Sequence, residues 1–192
     1  SFQHNSELDM RMDISQKLSA KEVINNYGYE DLLNIFYKYG EEKNSKKIAE
    51  SIINNRPVQT TDQLVSVIEL SLPRQNPKYT KNSVRKIFQA VRIEVNNEIN
   101  EINESLESVK DFIKKDGLMI FLSYHSIEDR AVKQFIDKET KGCICDPKLA
   151  ICRCENIALF KLGKYKKRKP SNFEIKLNPR SKSAVLRFMV KI

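Results

Sequence analysis

The sequence predicts an α/β protein in which a wholly helical region precedes a short segment of strand, helix, strand and strand. Apolar residues recur at helical spacing from residue 19 to residue 113. The pattern changes after Asp116-Gly117, where residues 118–122 form a continuous apolar run typical of a strand buried on both faces of a parallel sheet. This order of elements predicts the closing half of a doubly wound fold.

Capping residues and helix breakers divide the helical region. Ser19 and Glu22 predict a capping box at the start of a helix that ends near Tyr27. Thr61 is the predicted cap of a later helix, which Pro73 stops. The other helices predicted by spacing cover residues 29–39, 45–54, 62–72 and, as one long helix or two in sequence, 83–113.

The last third of the chain mixes strands and helix. Ser126 is the predicted N-cap of a helix over residues 127–138, with Asp129 three residues later. Two further strands are predicted over residues 157–162 and 184–189.

Positive charge is concentrated at the end of the chain. The net charge is +9, and residues 161–192 hold eleven Lys and Arg residues against the single acid Glu174. A polyanion partner is favoured, because each neutralised phosphate releases condensed counterions. A solvated basic tail explains the same charge about equally well.

All four cysteines lie within one twelve-residue stretch, at Cys143, Cys145, Cys152 and Cys154. Four thiolates are enough for a tetrahedral zinc ion, which would be structural because no coordination position stays open for substrate. The one-residue gaps are tighter than the usual zinc-knuckle spacing, and reduced thiols in a loop are an equally weighted alternative.

Five segments resemble, in the right order, the MraW/RsmH family of ribosomal RNA methyltransferases. They are residues 2–13 (FQHNSELDMRMD), 39–42 (YGEE) with 47–49 (KIA), 88–98 (FQAVRIEVNNE), 123–130 (SYHSIEDR) and 178–187 (NPRSKSAVLR). The family's His-Pro-Ala-Thr-like stretch is replaced here by Asn82, Ser83, Val84 and Arg85.

The resemblance implies the carboxyl-terminal half of a SAM-dependent, Rossmann-like methyltransferase fold with a large all-helical insertion domain. Residues 1–18 would belong to the methyltransferase domain, 19–82 to the helical, substrate-recognising insertion, and 83–192 to the carboxyl-terminal part of the methyltransferase domain. The family's glycine-rich SAM loop is expected upstream of Ser1, and the chain contains no such loop. We therefore expect these 192 residues alone to be inactive and to bind no SAM.

The resemblance implies SAM-dependent methylation of N4 of a cytidine in small-subunit (16S) ribosomal RNA. His125, Glu128 and Asp129 are the expected substrate-pocket residues, since they follow the buried strand where open α/β sheets bind ligands. An acceptor there could orient the exocyclic amine of a flipped cytosine, a poor nucleophile. The alternative is a purely structural helix cap, and both roles can coexist.

Two further sets of polar residues are candidate ligand contacts. Asp9 and Arg11 are expected near the cofactor pocket, although a charge-paired hinge explains them nearly as well. The expected RNA contacts are Arg92 and Asn96 on the long helix, the basic residues Lys166, Lys167, Arg168 and Lys169, and Arg180.

The expected partner is small-subunit ribosomal RNA or the 30S subunit. No apolar run approaches the length of a membrane span, so the protein is expected in the cytoplasm, and a homodimer is compatible with the sequence. The competing interpretation is a non-catalytic, basic RNA-binding fragment, with or without a zinc clip.

Overall fold

The structure is a computed structural model that describes residues 5–73, 77–143, 145, 151, 154, 157–163 and 167–192. The chain forms two compact units, Ser1–Glu98 and Ile99–Ile192, which we call the helical unit and the sheet unit. Helices and a small sheet occur together, so the prediction of an α/β protein is confirmed. Among the helices of the described residues, none combines the length and apolarity needed to cross a bilayer.

The described residues of the helical unit form five helices, four of them close to their predicted bounds. They are α1 (Ala20–Asn26), α2 (Tyr29–Lys38), α3 (Ser45–Asn54), α4 (Thr61–Leu70) and α5 (Pro77–Val95). Their apolar faces meet in one core, which includes the fully buried Ile24, Leu32, Phe36, Ile52, Ile68 and Ile87.

Capping chemistry sets where the helices begin. The predicted capping box of Ser19 and Glu22 is confirmed at α1. The predicted cap Thr61 is wrong by one residue, because Thr60 has the extended backbone of an N-cap and pairs reciprocally with Gln63. Thr61 is instead the first residue of α4.

Of the two alternatives predicted for residues 83–113, one long helix or two in sequence, the structure shows two helices. Helix α5 begins at Pro77, six residues before the predicted start, because proline suits the first helical turn. It ends at Val95, and α6 (Glu98–Val109) follows. Asn97 between them has a φ of 50°, a left-handed conformation that asparagine tolerates better than most residues.

The segment before α1 packs within the helical unit. Leu8 is buried in its core, and the Leu8 backbone N–H donates to the Gln59 carbonyl at 3.2 Å. The Ala20 N–H at the start of α1 donates to the Asp9 carbonyl at 2.6 Å. The assignment of residues 1–18 to a methyltransferase domain stays a prediction.

In the part of the sheet unit that the structure describes, three strands form a sheet in the order β1 (Leu118–Ser123), β3 (Val185–Lys191), β2 (Phe160–Leu162). The central strand β3 is antiparallel to both neighbours. Helices α6 and α7 (Ser126–Glu139) supply Leu106 and Phe135 to a core that includes Met119, Phe160 and Met189 of the sheet. A short helix, α8 (Asn172–Leu177), precedes β3.

The prediction that residues 118–122 are buried on both faces is wrong for the described chain. Met119 is buried against the helices, whereas Leu118, Ile120 and Leu122 are each more than half exposed. Strand side chains alternate between faces, and the described residues cover only one face of β1.

Gly40, two residues after the end of α2, lies where the chain approaches α5 closely. A Cβ atom there would lie 2.6 Å from the Phe36 carbonyl oxygen and 3.1 Å from the Lys86 carbonyl oxygen of α5. Both are backbone atoms, so neither can move aside as a flexible side chain would. The close approach of α2 to α5 therefore depends on the missing side chain.

Gly40→Ala is expected to destabilise the protein by about 1–3 kcal/mol, the usual cost of overpacking. Urea denaturation followed by circular dichroism measures the change. Gly142→Ala is the matched control, because a Cβ atom there meets nothing within 4 Å, and it should stay within about 0.5 kcal/mol of wild type. Equal stability of the two variants would contradict this account of the α2–α5 contact.

Candidate functional site

The strand-end segment, residues 123–130, connects β1 to α7. His125 is the N-cap of α7: its backbone is extended, and its Nδ1 atom accepts the Glu128 N–H at 3.3 Å. The Glu128 carboxylate reaches back to accept the Tyr124 N–H at 2.8 Å. The prediction that Ser126 is the cap is therefore wrong, and Ser126 is the first helical residue.

His125 and Glu128 are tightly associated. The Nε2 atom of His125 lies 3.0 Å from Glu128 Oε1, at a poor angle for a hydrogen bond, and has no other hydrogen-bond partner among the described residues. Burial raises the pKa of Glu128, but contacts with His125 and the Tyr124 N–H outweigh it and lower the pKa to about 2. Glu128 is therefore a carboxylate at neutral pH, and it fixes the orientation of the imidazole ring.

Asp129 forms a bidentate ion pair with Arg187 of β3. Arg187 Nε donates to Asp129 Oδ1 at 2.7 Å and Arg187 Nη2 to Oδ2 at 2.9 Å. The side chains are only 16% and 11% exposed, so water screens the pair weakly. Hydrogen bonds from Arg187 are the largest cause of the lowered pKa of Asp129, and burial opposes them.

Arg187 has no predicted role, although it lies in one of the resembling segments. One feature of the sequence could have identified it: Arg187 is the one charged residue of the strand Val185–Lys191 apart from the final lysine. The ion pair joins two motifs that are 58 residues apart in sequence.

The basic segment is residues 164–169, and its described residues, 167–169, lie near the same ion pair. The charge of Lys167 also lowers the pKa of Asp129, although by less than Arg187 does. The backbone of Arg168 pairs with Leu186 through two hydrogen bonds of 2.9 Å, which places Arg168 beside the start of β3. Lys167, Arg168 and Lys169 are exposed, whereas the predicted Lys166 lies outside the described residues.

Arg180 is also exposed. It lies in the 3-10 turn Pro179–Ser183, and its backbone N–H donates to Asn178 Oδ1 at 3.1 Å. Its side chain is therefore presented on a capped turn shortly before β3.

A groove of about 710 Å³ lies beside the strand-end segment within the sheet unit. Residues of α6 and β1 form its mostly apolar lining, and Ser123 and Glu128 also line it. The strand-end segment thus offers a concave surface in which a carboxylate lies beside apolar side chains.

The four candidates in the helical unit take part in internal contacts. Arg11 donates from Nε and Nη2 to the Asp9 carboxylate and from Nη1 to two backbone carbonyls, so it holds the turn that follows it. Asn96 binds the backbone of Met10 and Met12, and Arg92 forms a bidentate pair with Glu98. Their predicted ligand roles stay predictions.

Three of the four predicted metal ligands come together. The Sγ atoms of Cys143, Cys145 and Cys154 lie within 4.8 Å of one another, whereas Cys152 lies outside the described residues.

The residues of this chain do not form a SAM cradle. Such a cradle needs clustered glycines between a strand and a helix, and the five glycines are isolated at positions 28, 40, 117, 142 and 163. Gly28 does cap α2, but it follows a helix rather than a strand.

Glu128→Gln should destabilise the protein in a pH-dependent way. The folded-state pKa of Glu128, about 2, lies below its ordinary value of 4.5. Its charge therefore stabilises the fold fully above the ordinary value, and this contribution is lost as the pH falls towards the folded-state value. Urea denaturation should show a larger difference from wild type near neutral pH than at a pH of about 3. The same difference at both values would show that the charge contributes nothing.

Comparison with known proteins identifies the family. The family model described as the MraW methylase family matches residues 1–192. Proteins named ribosomal RNA small subunit methyltransferase H are 40% identical in Finegoldia magna, 38% in Dehalococcoides mccartyi and 44% in Mycoplasmopsis synoviae. Each alignment covers 100% of this chain but only 63%, 54% and 61% of the respective relative. The chain therefore belongs to the MraW methylase family.

Proposed function

We propose that the protein methylates N4 of a cytidine in small-subunit (16S) ribosomal RNA, with SAM as the donor and the 30S subunit or its RNA as partner in the cytoplasm. The relatives' names support RNA methylation. The Asp129–Arg187 ion pair carries the proposal. It joins the strand-end segment to residues 178–187, another of the resembling segments, and Lys167 of the basic segment lies near it. The strand-end segment thus lies beside a groove and near exposed cations of a kind that suits phosphate contacts.

His125 is the residue we assign to the target base. Its ring is held by the α7 cap and by Glu128, so it can contact a flipped cytosine without losing further side-chain entropy. The exocyclic amine of cytosine is a poor nucleophile, and an acceptor fixed beside it favours the geometry needed for attack. Because His125 Nδ1 accepts the cap hydrogen bond, Nε2 carries the proton and donates, so the Glu128 carboxylate beside it would be that acceptor. Glu128 and Asp129 position this ring and the segment that carries it.

SAM binding would require residues beyond those of this chain. The chain spans less than two thirds of its relatives and has no glycine cradle. We propose that the remaining part supplies the cofactor site and adds to the sheet at β1, with Asp9 and Arg11 nearby. In this arrangement residues 19–82 are the helical insertion, and residues 1–18 and 83–192 belong to the methyltransferase domain.

His125→Asn in the full-length protein should lower kcat for methyl transfer to 30S subunits at least about 10²-fold. Asparagine preserves the N-cap of α7, so the loss would reflect the missing imidazole rather than unfolding. Transfer of a radiolabelled methyl group measures the rate, and isothermal titration should show unchanged affinity for SAM.

Gln134→Ala is the control for this experiment, because Gln134 is exposed on the same helix, more than two turns from His125. A wild-type kcat in His125→Asn would remove His125 from the proposed chemistry. Absence of SAM binding by the full-length protein would favour a non-catalytic RNA-binding protein, the competing interpretation of the exposed basic residues.

The basic segment should control the salt dependence of RNA binding. Lys167→Gln with Arg168→Gln removes two exposed cations, and should reduce the slope of log affinity against log salt by about 1.5. Lys114→Gln with Lys115→Gln removes the same charge from an exposed turn before β1 and serves as the control. Filter binding over a salt series measures both. Slopes that fall equally in the two double variants would argue against a specific contact with the basic segment.

A further inference from the structure

The connection between α7 and β2 brings together three cysteines from two parts of its sequence. Cys143 and Cys145 precede Cys154 by several residues, yet the Sγ atoms of Cys143 and Cys154 are 3.7 Å apart. A disulfide would place these atoms at about 2.05 Å. The two side chains therefore approach each other without a covalent bond.

This spacing is the one that a tetrahedral thiolate site requires. Zinc–sulfur bonds of about 2.3 Å at a tetrahedral angle place neighbouring sulfur atoms about 3.8 Å apart. All three described Sγ atoms lie within 4.8 Å of one another, close enough to share one ion.

Burial does not account for the cluster. Cysteines that act as small apolar residues are usually buried. Cys143 is exposed, and Cys145 and Cys154 are only partly buried. Apolar packing is thus too weak here to explain why the three sulfur atoms meet.

A metal cross-link would have a structural role in this connection. Its base is closed where the Leu159 N–H donates to the carbonyl of Glu139, the last residue of α7, at 3.1 Å. The two ends of the connection thus lie close together, and loops of more than about 12–15 residues are uncommon in compact domains unless they are functional or disordered. A metal held by Cys143 and Cys154 would join the start of this connection to its later part.

We propose that Cys143, Cys145 and Cys154 bind one zinc ion, which folds the connection before β2 and supports the strand that leads into the basic segment. Thiolates favour zinc over harder divalent cations such as magnesium. The role is structural, because no ionisable group of the strand-end segment is among the ligands. Cys152 lies outside the described residues, so these three thiolates carry the proposal.

Metal analysis of the full-length protein, purified under reducing conditions, tests the site. Wild type should hold about one equivalent of zinc more than a variant with Cys143→Ser, Cys145→Ser and Cys154→Ser. Cobalt added to metal-free wild type should give the thiolate charge-transfer and visible bands of a tetrahedral site. Ile151→Ala is the matched control, because Ile151 is 75% exposed in the same connection and offers no ligand, so it should keep the zinc.

A difference of less than about a tenth of an equivalent between wild type and the triple variant would overturn the proposal. Iron in place of zinc, or a cobalt spectrum without thiolate bands, would overturn it as well. The cobalt spectrum is recorded on wild type, so it decides the question even if the triple variant fails to fold. None of these measurements depends on methyl transfer, and the proposed function can fail or hold independently.

Discussion

The position of the strand-end segment against the sheet depends on the ion pair between Asp129 and Arg187. It links the first turn of α7 to the central strand β3, and both partners are largely removed from water. A buried charge without its partner is costly, so this geometry is maintained by the penalty of breaking it as much as by its own attraction. Two parallel hydrogen bonds also fix direction, which a single lysine contact would not.

The cap of α7 adds a second constraint at the same place. His125 uses its Nδ1 atom to accept the Glu128 N–H at the start of α7, and its Nε2 atom faces the Glu128 carboxylate. Folding thereby determines the tautomer and the ring orientation before any ligand arrives. The cap uses only Nδ1 of the ring, so the proposed ligand role of the strand-end segment does not compete with its structural role.

Local rules predicted the helices well, because caps and spacing are properties of neighbouring residues. The capping box at Ser19 was predicted correctly for this reason. The cap of α4 was not, because Thr60 and Thr61 are adjacent and only the structure shows that Thr60 is the one that pairs with Gln63. The sequence could not show which face of β1 is covered, because that depends on where α6 and α7 pack.

Contacts between distant segments were also beyond the sequence. Nothing local relates Asp129 to Arg187, or Asn96 to the backbone of Met10, and only the folded chain brings them together. Predictions from residue type singled out the strand-end segment as a candidate site but missed the partner that holds it in place.

The hydrogen bond between Leu159 and Glu139 has a consequence for how this family can vary. Because the two ends of the connection are joined at its base, a change in its length need not move the ends of α7 and β2 that it joins. Doubling the length of such an excursion costs only about 0.6 kcal/mol in chain entropy. Insertions and deletions should therefore accumulate at this point during evolution, while the sheet and the ion pair beside it keep their geometry.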